Sequence, residues 1–295
     1  MGFKSGFIAI IGCPYVGKST IVNQFVGQKV SIVSNKPQTT RNRIQSVVTR
    51  ENYQMVFIDT PGVLTPHNRL GEYMLSTAFE TIKEANAVLY VVDAKTGIGG
   101  KDMALMEKLK KYNCSVVMAV NKIDAVEEKN LMMLLESLKA QDWIEHIVPV
   151  SAIKGQNMEE LEKVLEQYLE EGPMYFPKDM ITDQPERFLM AELIREKALK
   201  LLQQEIPHGI GVEIEKYVES GEDGRTEIYA AIYCEKDSHK GIIIGKNGSM
   251  LKEIGTQARK EMQWLLASGV YLELWVRVKA DWRNSPSLLK QLGYE

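Results

Sequence analysis

The eight residues Gly12-Cys13-Pro14-Tyr15-Val16-Gly17-Lys18-Ser19 fit the pattern G-x-x-x-x-G-K-[ST], and they constrain the fold more than any other stretch of the chain. The apolar run 7–11 before them reads as a buried strand, and residues 19–26 after them can open as a helix. A strand, a glycine loop and a helix in that order aim a row of backbone N–H groups at one point, reinforced by the positive end of the helix dipole. Phosphate is the natural occupant. Lys18 would reach the β and γ phosphates and the Ser19 hydroxyl would ligate Mg²⁺, with Thr20 completing the first turn.

Further apolar runs at 43–48, 53–59, 87–93, 115–121 and 147–150 read as strands, with helical patterns near 70–82, 101–110, 129–139 and 158–170. Glu51-Asn52 is too short a link for a crossover, so the second and third strands should form an antiparallel hairpin. The rest alternate with helices, which predicts an α/β doubly wound, mostly parallel sheet with one antiparallel edge strand, its ligands at the carboxyl ends of the strands.

Gly172-Pro173 closes this unit, giving an expected first domain of 1–172, a linker of 173–182 and a second domain of 183–295. There, Asp183 with Glu186 and Pro185 suggests a capping box opening a helix whose apolar stripe is Phe188, Ala191, Ile194, Ala198 and Leu201 or Leu202. Strand patterns at 211–218 and 227–234, a short helix into Gly245, a helix from Ser249 to about Leu266 and a strand at 271–278 make an α+β module. Helix and strand patterns point Trp264 and Trp275 inward and leave Trp282 open.

Composition excludes several classes. The 295 residues are 44% hydrophobic and 25% charged, which fits packed domains rather than disorder. Three widely spaced cysteines without C-x-x-C or His pairing give neither a disulfide framework nor a zinc site, and fit a reducing cytoplasm. The N-terminus runs directly into the first strand, so no signal peptide is expected, and Gly6 stands where a myristoylation motif wants Ser or Thr. No apolar stretch approaches 18 residues. A net charge of −3 argues against a polyanion-binding surface over the whole molecule.

Three more motifs fall on strand ends. Asp59-Thr60-Pro61-Gly62 follows the third strand, where the carboxylate can hold Mg²⁺ and the Gly62 N–H can meet a γ-phosphate. Loss of that phosphate would let the segment through about Gly71 relax. Asn121-Lys122-Ile123-Asp124 ends the fifth strand and Ser151-Ala152 the sixth. Asp124 can accept hydrogen bonds from guanine N1–H and the N2 amine, which adenine lacks, so the base is guanine. The Ala152 N–H would face O6, with Asn121 and Lys122 shaping the pocket.

Four motifs in this order resemble a GTPase of the translation-factor class, in which a Thr before the second strand closes over Mg²⁺. Thr39 and Thr40 both qualify. Pro37-Gln38-Thr39-Thr40-Arg41-Asn42-Arg43 resembles the Era family of bacterial ribosome-assembly GTPases, as do Glu205-Ile206-Pro207-His208, Val212-Glu213-Ile214 and residues 276–283. The resemblance implies GTP hydrolysis by water, with Lys18, Thr39, Thr40 and Gly62 in the catalytic machinery. Arg41 and Arg43 either start a solvated strand or supply an arginine finger. Val63 stands where Ras-like enzymes orient the water with Gln, so intrinsic turnover should be slow, about 10⁻⁴ to 10⁻² s⁻¹. Such enzymes usually hold Asn at the position of Tyr15 to help bind K⁺. With Tyr there, facing outward, K⁺ should contribute little.

In the second domain Gly245-Lys246-Asn247-Gly248 joins two helices as G-x-x-G, the loop with which KH domains clamp a nucleic-acid backbone. Between Lys236 and Lys260 six Lys or Arg face two acidic residues, while 180–295 as a whole holds 16 against 18, so positive charge is focused on this loop. Lys240, Lys246 and Lys252 join the glycines and Asn247 as expected RNA contacts. The resemblance implies that a KH-type domain binds 16S ribosomal RNA, that the protein acts as a monomer in small ribosomal subunit maturation, and that it associates peripherally with the membrane. The competing reading is an RNA-binding scaffold with a vestigial GTP/GDP site. A tRNA-modification GTPase would need a catalytic domain for which nothing after Gly172 supplies nucleophile or metal ligands.

Overall fold

The computed structural model of the chain describes residues 2–34, 36, 38–62, 65–203, 206–219 and 224–294. It consists of two compact units, one running to Asp183 and the other comprising Gln184–Glu295 with the short stretches Ser34–Thr39 and His67–Leu70.

The first unit is built on β1 (Lys4–Ile11), α1 (Lys18–Val26), β2 (Ile44–Thr49), β3 (Tyr53–Asp59), α2 (Arg69–Glu84), β4 (Ala87–Asp93), α3 (Gly100–Leu109), β5 (Ser115–Asn121), α4 (Glu128–Lys139), β6 (His146–Pro149), α5 (Met158–Glu166) and β7 (Glu170–Glu171). Sheet order is β2-β3-β1-β4-β5-β6, parallel except for β2, which pairs antiparallel with β3 from Ile44↔Asp59 to Thr49↔Gln54. All seven residues of β4 are buried, as a central parallel strand covered on both faces requires.

Two features differ from the sequence expectation. The helix placed at 158–170 ends at Glu166, and the chain turns so that Leu169 enters the core over Gly6, where any side chain would collide with it. Glu170–Glu171 then adds a second antiparallel pairing at Lys4 and Ser5, below the point where β4 begins to pair with β1. The segment expected as a linker lies along this unit. Gln54 accepts from the backbone N–H of Tyr175 and Phe176 (2.8 and 2.9 Å), and Val47 N–H donates to Ile181 O (2.9 Å), which covers the exposed edge of β2.

The second unit contains α6 (Glu186–Leu201), β8 (Gly211–Val218), β9 (Thr226–Cys234), α7 (Asp237–Ile244), α8 (Ser249–Leu266), β10 (Val270–Val278) and α9 (Pro286–Gln291). The sheet runs β10-β9-β8, with β9 parallel to β10 and antiparallel to β8. The capping box is absent. Pro185 itself is the N-cap, with extended φ −58° and ψ 145°, because proline disfavours helical geometry in the residue before it and so bars Gln184 from a first turn. The expected stripe on α6 is too narrow. Residues from Leu193 to Leu199 are buried all round, including Arg195, Glu196 and Lys197.

Of the tryptophans expected inward, Trp264 is 67% exposed and Trp275 half-buried, whereas Trp282 is fully buried and donates from Nε1 to Gly209 O at 2.8 Å. Trp264 lies on the water-facing side of α8, whose core stripe is Ile254, Ala258 and Met262.

Candidate nucleotide site and nucleic-acid interface

The phosphate loop and the motifs Asp59–Gly62, Asn121–Asp124 and Ser151–Ala152 sit at the carboxyl ends of β1, β3, β5 and β6. Gly12 to Gly17 form the loop from β1 to α1, and Gly17 caps α1 with φ 98°, a left-handed value that only glycine adopts cheaply. A Cβ at Gly17 would press into the Asn121 amide, and one at Gly12 into Val91 O. Lys18 is buried and its ammonium donates to Gly12 O (3.0 Å) and Cys13 O (3.1 Å) across the loop. Burial lowers its pKa, with Asp59 opposing. Cys13 and Val16 are buried, Pro14 is partly so, and the Cys13 thiol is pushed up to about 12, chiefly by burial. Tyr15 takes φ 71° and stands 46% exposed, outward as expected.

Beneath this loop three oxygens converge. Ser19 Oγ donates to Asp59 Oδ2 at 2.7 Å and lies 3.1 Å from Thr40 Oγ1. Asp59 is fully buried, its pKa raised by burial against the pull of Lys18, and its Oδ1 has no hydrogen-bond partner. Three hard oxygen donors and a buried, unpartnered carboxylate oxygen fit a divalent cation such as Mg²⁺. The Thr39 hydroxyl is engaged elsewhere, donating to Lys36 O at 2.6 Å. Thr60 Oγ1 donates to Ile10 O (2.6 Å), Pro61 is buried, and Gly62 lies against the backbone of Pro14, where a Cβ would come within 3.1 Å. Arg43 pairs with Glu84 at 2.5 Å and Arg41 is buried, so neither extends into solvent as a finger would. Val63, Pro37 and Glu205 lie outside the described residues.

The base-pocket motifs are wired to the phosphate loop. Asn121 Nδ2 donates to Val16 O (2.8 Å) while its Oδ1 accepts from Ala152 N (3.1 Å), so one buried amide joins three loops. Lys122, with φ 66°, donates to Tyr15 O and to Asp93 Oδ2, both at 2.6 Å. Ser151 Oγ donates to Asp124 Oδ1 at 2.6 Å, which steadies the exposed carboxylate. Ser151, expected in the base pocket, enters it by holding Asp124. The Asp93–Lys122 pairing was not read from the sequence, because an Asp at a strand end carries no signal for it until the folded sheet sets it beside its partner.

In the second unit Gly245 (φ 74°, ψ 174°), Lys246, Asn247 (φ 51°) and Gly248 (φ 76°) join α7 to α8. A Cβ at Gly245 would stand 2.8 Å from Met250 N, whereas Gly248 faces open space and is required by its backbone alone. A groove of about 400 Å³ runs from this loop between α8 and β10, lined by Gly248, Lys252, Gly255, Thr256, Arg259 and the apolar Leu251, Leu272 and Leu274. Of the lysines expected to contact RNA, Lys252 lines this groove and Lys240 lies half-buried on α7 outside it. Gly255, Thr256 and Arg259, which the sequence reading did not single out, share one helix face with Lys252.

The sequence matches two family models, one described as a 50S ribosome-binding GTPase over residues 7–122 and one as a KH domain over residues 205–283. It is 51% identical to the GTPase Era of Alkaliphilus oremlandii over 100% of both chains, and 50% identical to that of Clostridioides difficile over 99% of both. Two solved structures each cover 99% of both chains. A tyrosine-to-alanine variant of Aquifex aeolicus Era bound to GDP and AlF4⁻ has a TM-score of 0.95 at 41% identity, and Era in complex with MgGDPNP and nucleotides 1506–1542 of 16S ribosomal RNA has 0.96 at 42%. With the strand order, the phosphate loop and the helix-flanked G-x-x-G all in place, the chain belongs to the Era family of GTPases.

Proposed function

We propose that this GTPase binds guanine nucleotide on residues 12–20, 59–62, 121–124 and 151–152, and reads 16S ribosomal RNA through its second unit during small-subunit maturation. The convergence of Ser19, Thr40 and the unpartnered Asp59 carboxylate under the Gly12–Gly17 loop carries the nucleotide half of this reading. Those three side chains would hold Mg²⁺, with Thr40 rather than Thr39 as the threonine ligand. A bound Mg²⁺ supplies charge neutralisation at the β and γ phosphates. Lys18, drawn across the loop by Gly12 O and Cys13 O, presents its ammonium to the same phosphates. Backbone N–H groups at the start of α1 meet phosphate oxygen, and the Gly62 N–H adjoins the γ position. Asp124, steadied by Ser151, accepts from guanine N1–H and N2.

The RNA half rests on the groove beside Gly245–Gly248, where a backbone-clamping loop adjoins a wall of Lys252 and Arg259. The description of the first matched family names the 50S particle, yet that match covers only residues 7–122. The relative matched over 99% of both chains is bound to 16S RNA, which favours the small subunit. We assign 1–172 to the GTPase domain, 173–182 to the connection and 183–295 to the KH-type domain, acting as a monomer. Among the described residues no helix is long and apolar enough to cross a membrane, and peripheral membrane association remains only an implication of the resemblance.

Phosphate release from purified protein with Mg²⁺ and either GTP or ATP tests the nucleotide half. Turnover with GTP alone is expected. No release above buffer, with or without RNA, would favour the vestigial-site scaffold. Binding of a 16S 3′-terminal oligonucleotide tests the other half separately.

A further inference from the structure

The sheet of the second unit has two unlike faces. Helices pack on the face that carries Ile228, Ala230, Ile232 and Val276, which are buried. On the other face the end at Tyr233 is covered, with Gln291 of α9 donating to Glu213, and the remainder alternates glutamate with aromatic rings. It repeats one small arrangement, an aromatic ring and a carboxylate holding a cation between them. Lys216 Nζ lies 4.8 Å from the Tyr229 ring centroid and 3.4 Å from Glu227 Oε2. Arg277 lies 5.6 Å from the Trp275 ring and 2.9 Å from Glu215 Oε1, the ion pair reaching from β10 over β9 to β8.

A third ring and carboxylate complete the row without a cation. Tyr271, 45% exposed, packs on Tyr229 with centroids 5.8 Å apart, and its hydroxyl donates to Glu273 Oε2 at 3.2 Å. Among the described residues no basic side chain pairs with Glu273. Arginine or lysine over a tyrosine face beside a carboxylate gains cation–π and ion-pair attraction together. A phosphate backbone would meet three glutamates on the uncovered part of this face, Glu215, Glu227 and Glu273, against Lys216 and Arg277 among the described strand residues.

We propose that the uncovered part of this sheet face, from Glu215 and Arg277 to Tyr271, is a docking surface for an extended, arginine- and lysine-rich segment of another protein, with Tyr271 and Glu273 as the cation acceptor. The choice of occupant comes from charge complementarity: the face is acidic, while the groove between α8 and β10 is basic. Resting on the proposed function, the partner would be a basic protein held on the same RNA, one surface taking phosphate and the other taking the protein that neutralises phosphate nearby.

The test uses the full-length protein without RNA at physiological salt and a fluorescein-labelled dodecapeptide of alternating Arg and Ser, followed by anisotropy. Saturable binding is expected. Tyr271→Ala should weaken it roughly two- to fivefold, the worth of one exposed cation–π contact. Glu273→Gln with Glu227→Gln should weaken it further, and Glu107→Gln with Glu128→Gln in the first unit should leave it unchanged. Equal losses from both charge pairs would reduce the effect to net charge and overturn the proposal, as would no saturable binding by the wild type. Loss of 16S oligonucleotide binding in Tyr271→Ala, with peptide binding intact, would assign the face to RNA instead. Unchanged circular-dichroism melting confirms that each variant is folded. RNA binding measured on the same wild-type sample keeps failure of the RNA reading distinct from failure of this one.

Discussion

Asn121→Ala should unsettle the empty nucleotide site before any nucleotide is added. The Asn121 amide is 2% exposed and is the shared partner of Val16 O and Ala152 N. Alanine removes both hydrogen bonds and strands two buried main-chain groups, at about 1–3 kcal/mol for each group left unpaired. Some relaxation of the loops recovers part of this, so a net cost of about 2–4 kcal/mol is expected. For a unit of this size each kcal/mol lowers the melting temperature by about 2–4 °C, so a cost near the middle of that range gives a fall of about 6–12 °C. Differential scanning calorimetry in EDTA, without nucleotide, reads it directly. Titration with GDP and a non-hydrolysable GTP analogue should then show similar loss for both, because neither hydrogen bond depends on the γ-phosphate. An unchanged apo melting temperature with lost nucleotide affinity would refute the reasoning, since Asn121 would then act on the base alone.

Asp124→Asn should lose guanine nucleotides and gain xanthine nucleotides, because xanthine places an oxygen where guanine has its amine; a variant that still prefers GTP in competition binding would overturn the base-pocket assignment. Gly248→Asp should weaken binding of a 16S 3′ oligonucleotide and leave GTP affinity unchanged, since the added charge faces open space beside the groove. Its strain at φ 76° should cost about 1 kcal/mol of stability, readable as a small shift in melting. Because the Tyr15 side chain stands outward, K⁺ should stimulate hydrolysis little over Na⁺, and Tyr15→Asn should create the stimulation, as measured by phosphate release. Trp282→Phe should destabilise the second unit by about 1–3 kcal/mol in urea unfolding, because Gly209 O would be left unpaired in the core.

How much of this was legible in the sequence follows from the range of the forces involved. A phosphate loop is a local object: Gly12, Gly17, Lys18 and Ser19 lie within eight residues, and the strand and helix that aim them are adjacent, so spacing alone conveys the geometry. The choice between Thr39 and Thr40 is different. Neighbouring hydroxyls look alike until the fold turns Thr40 to Ser19 and Thr39 to Lys36 O. The same holds for Asp93 and Lys122, which meet only because β4 and β5 end side by side.

Helix α6 shows why periodicity fails where charge is paired. Hydrophobic pattern registers which residues avoid water when alone, and it gives Glu192, Arg195, Glu196 and Lys197 to solvent. In the fold Arg195 is held by Glu192 and by the carbonyls of Gln38 and Thr39, and Lys197 by Glu196 and Glu261. Each charge enters the interior only because a partner meets it there, and the partner can be 157 positions away in the chain. Trp264 errs in the opposite sense. A large ring at helical spacing reads as core, but α8 buries Ile254, Ala258 and Met262, and position 264 falls on its far side. What a single sequence conveys is therefore chemistry at fixed local spacing, together with stripes that water alone creates. Contacts in which distant polar groups satisfy one another leave no periodic trace.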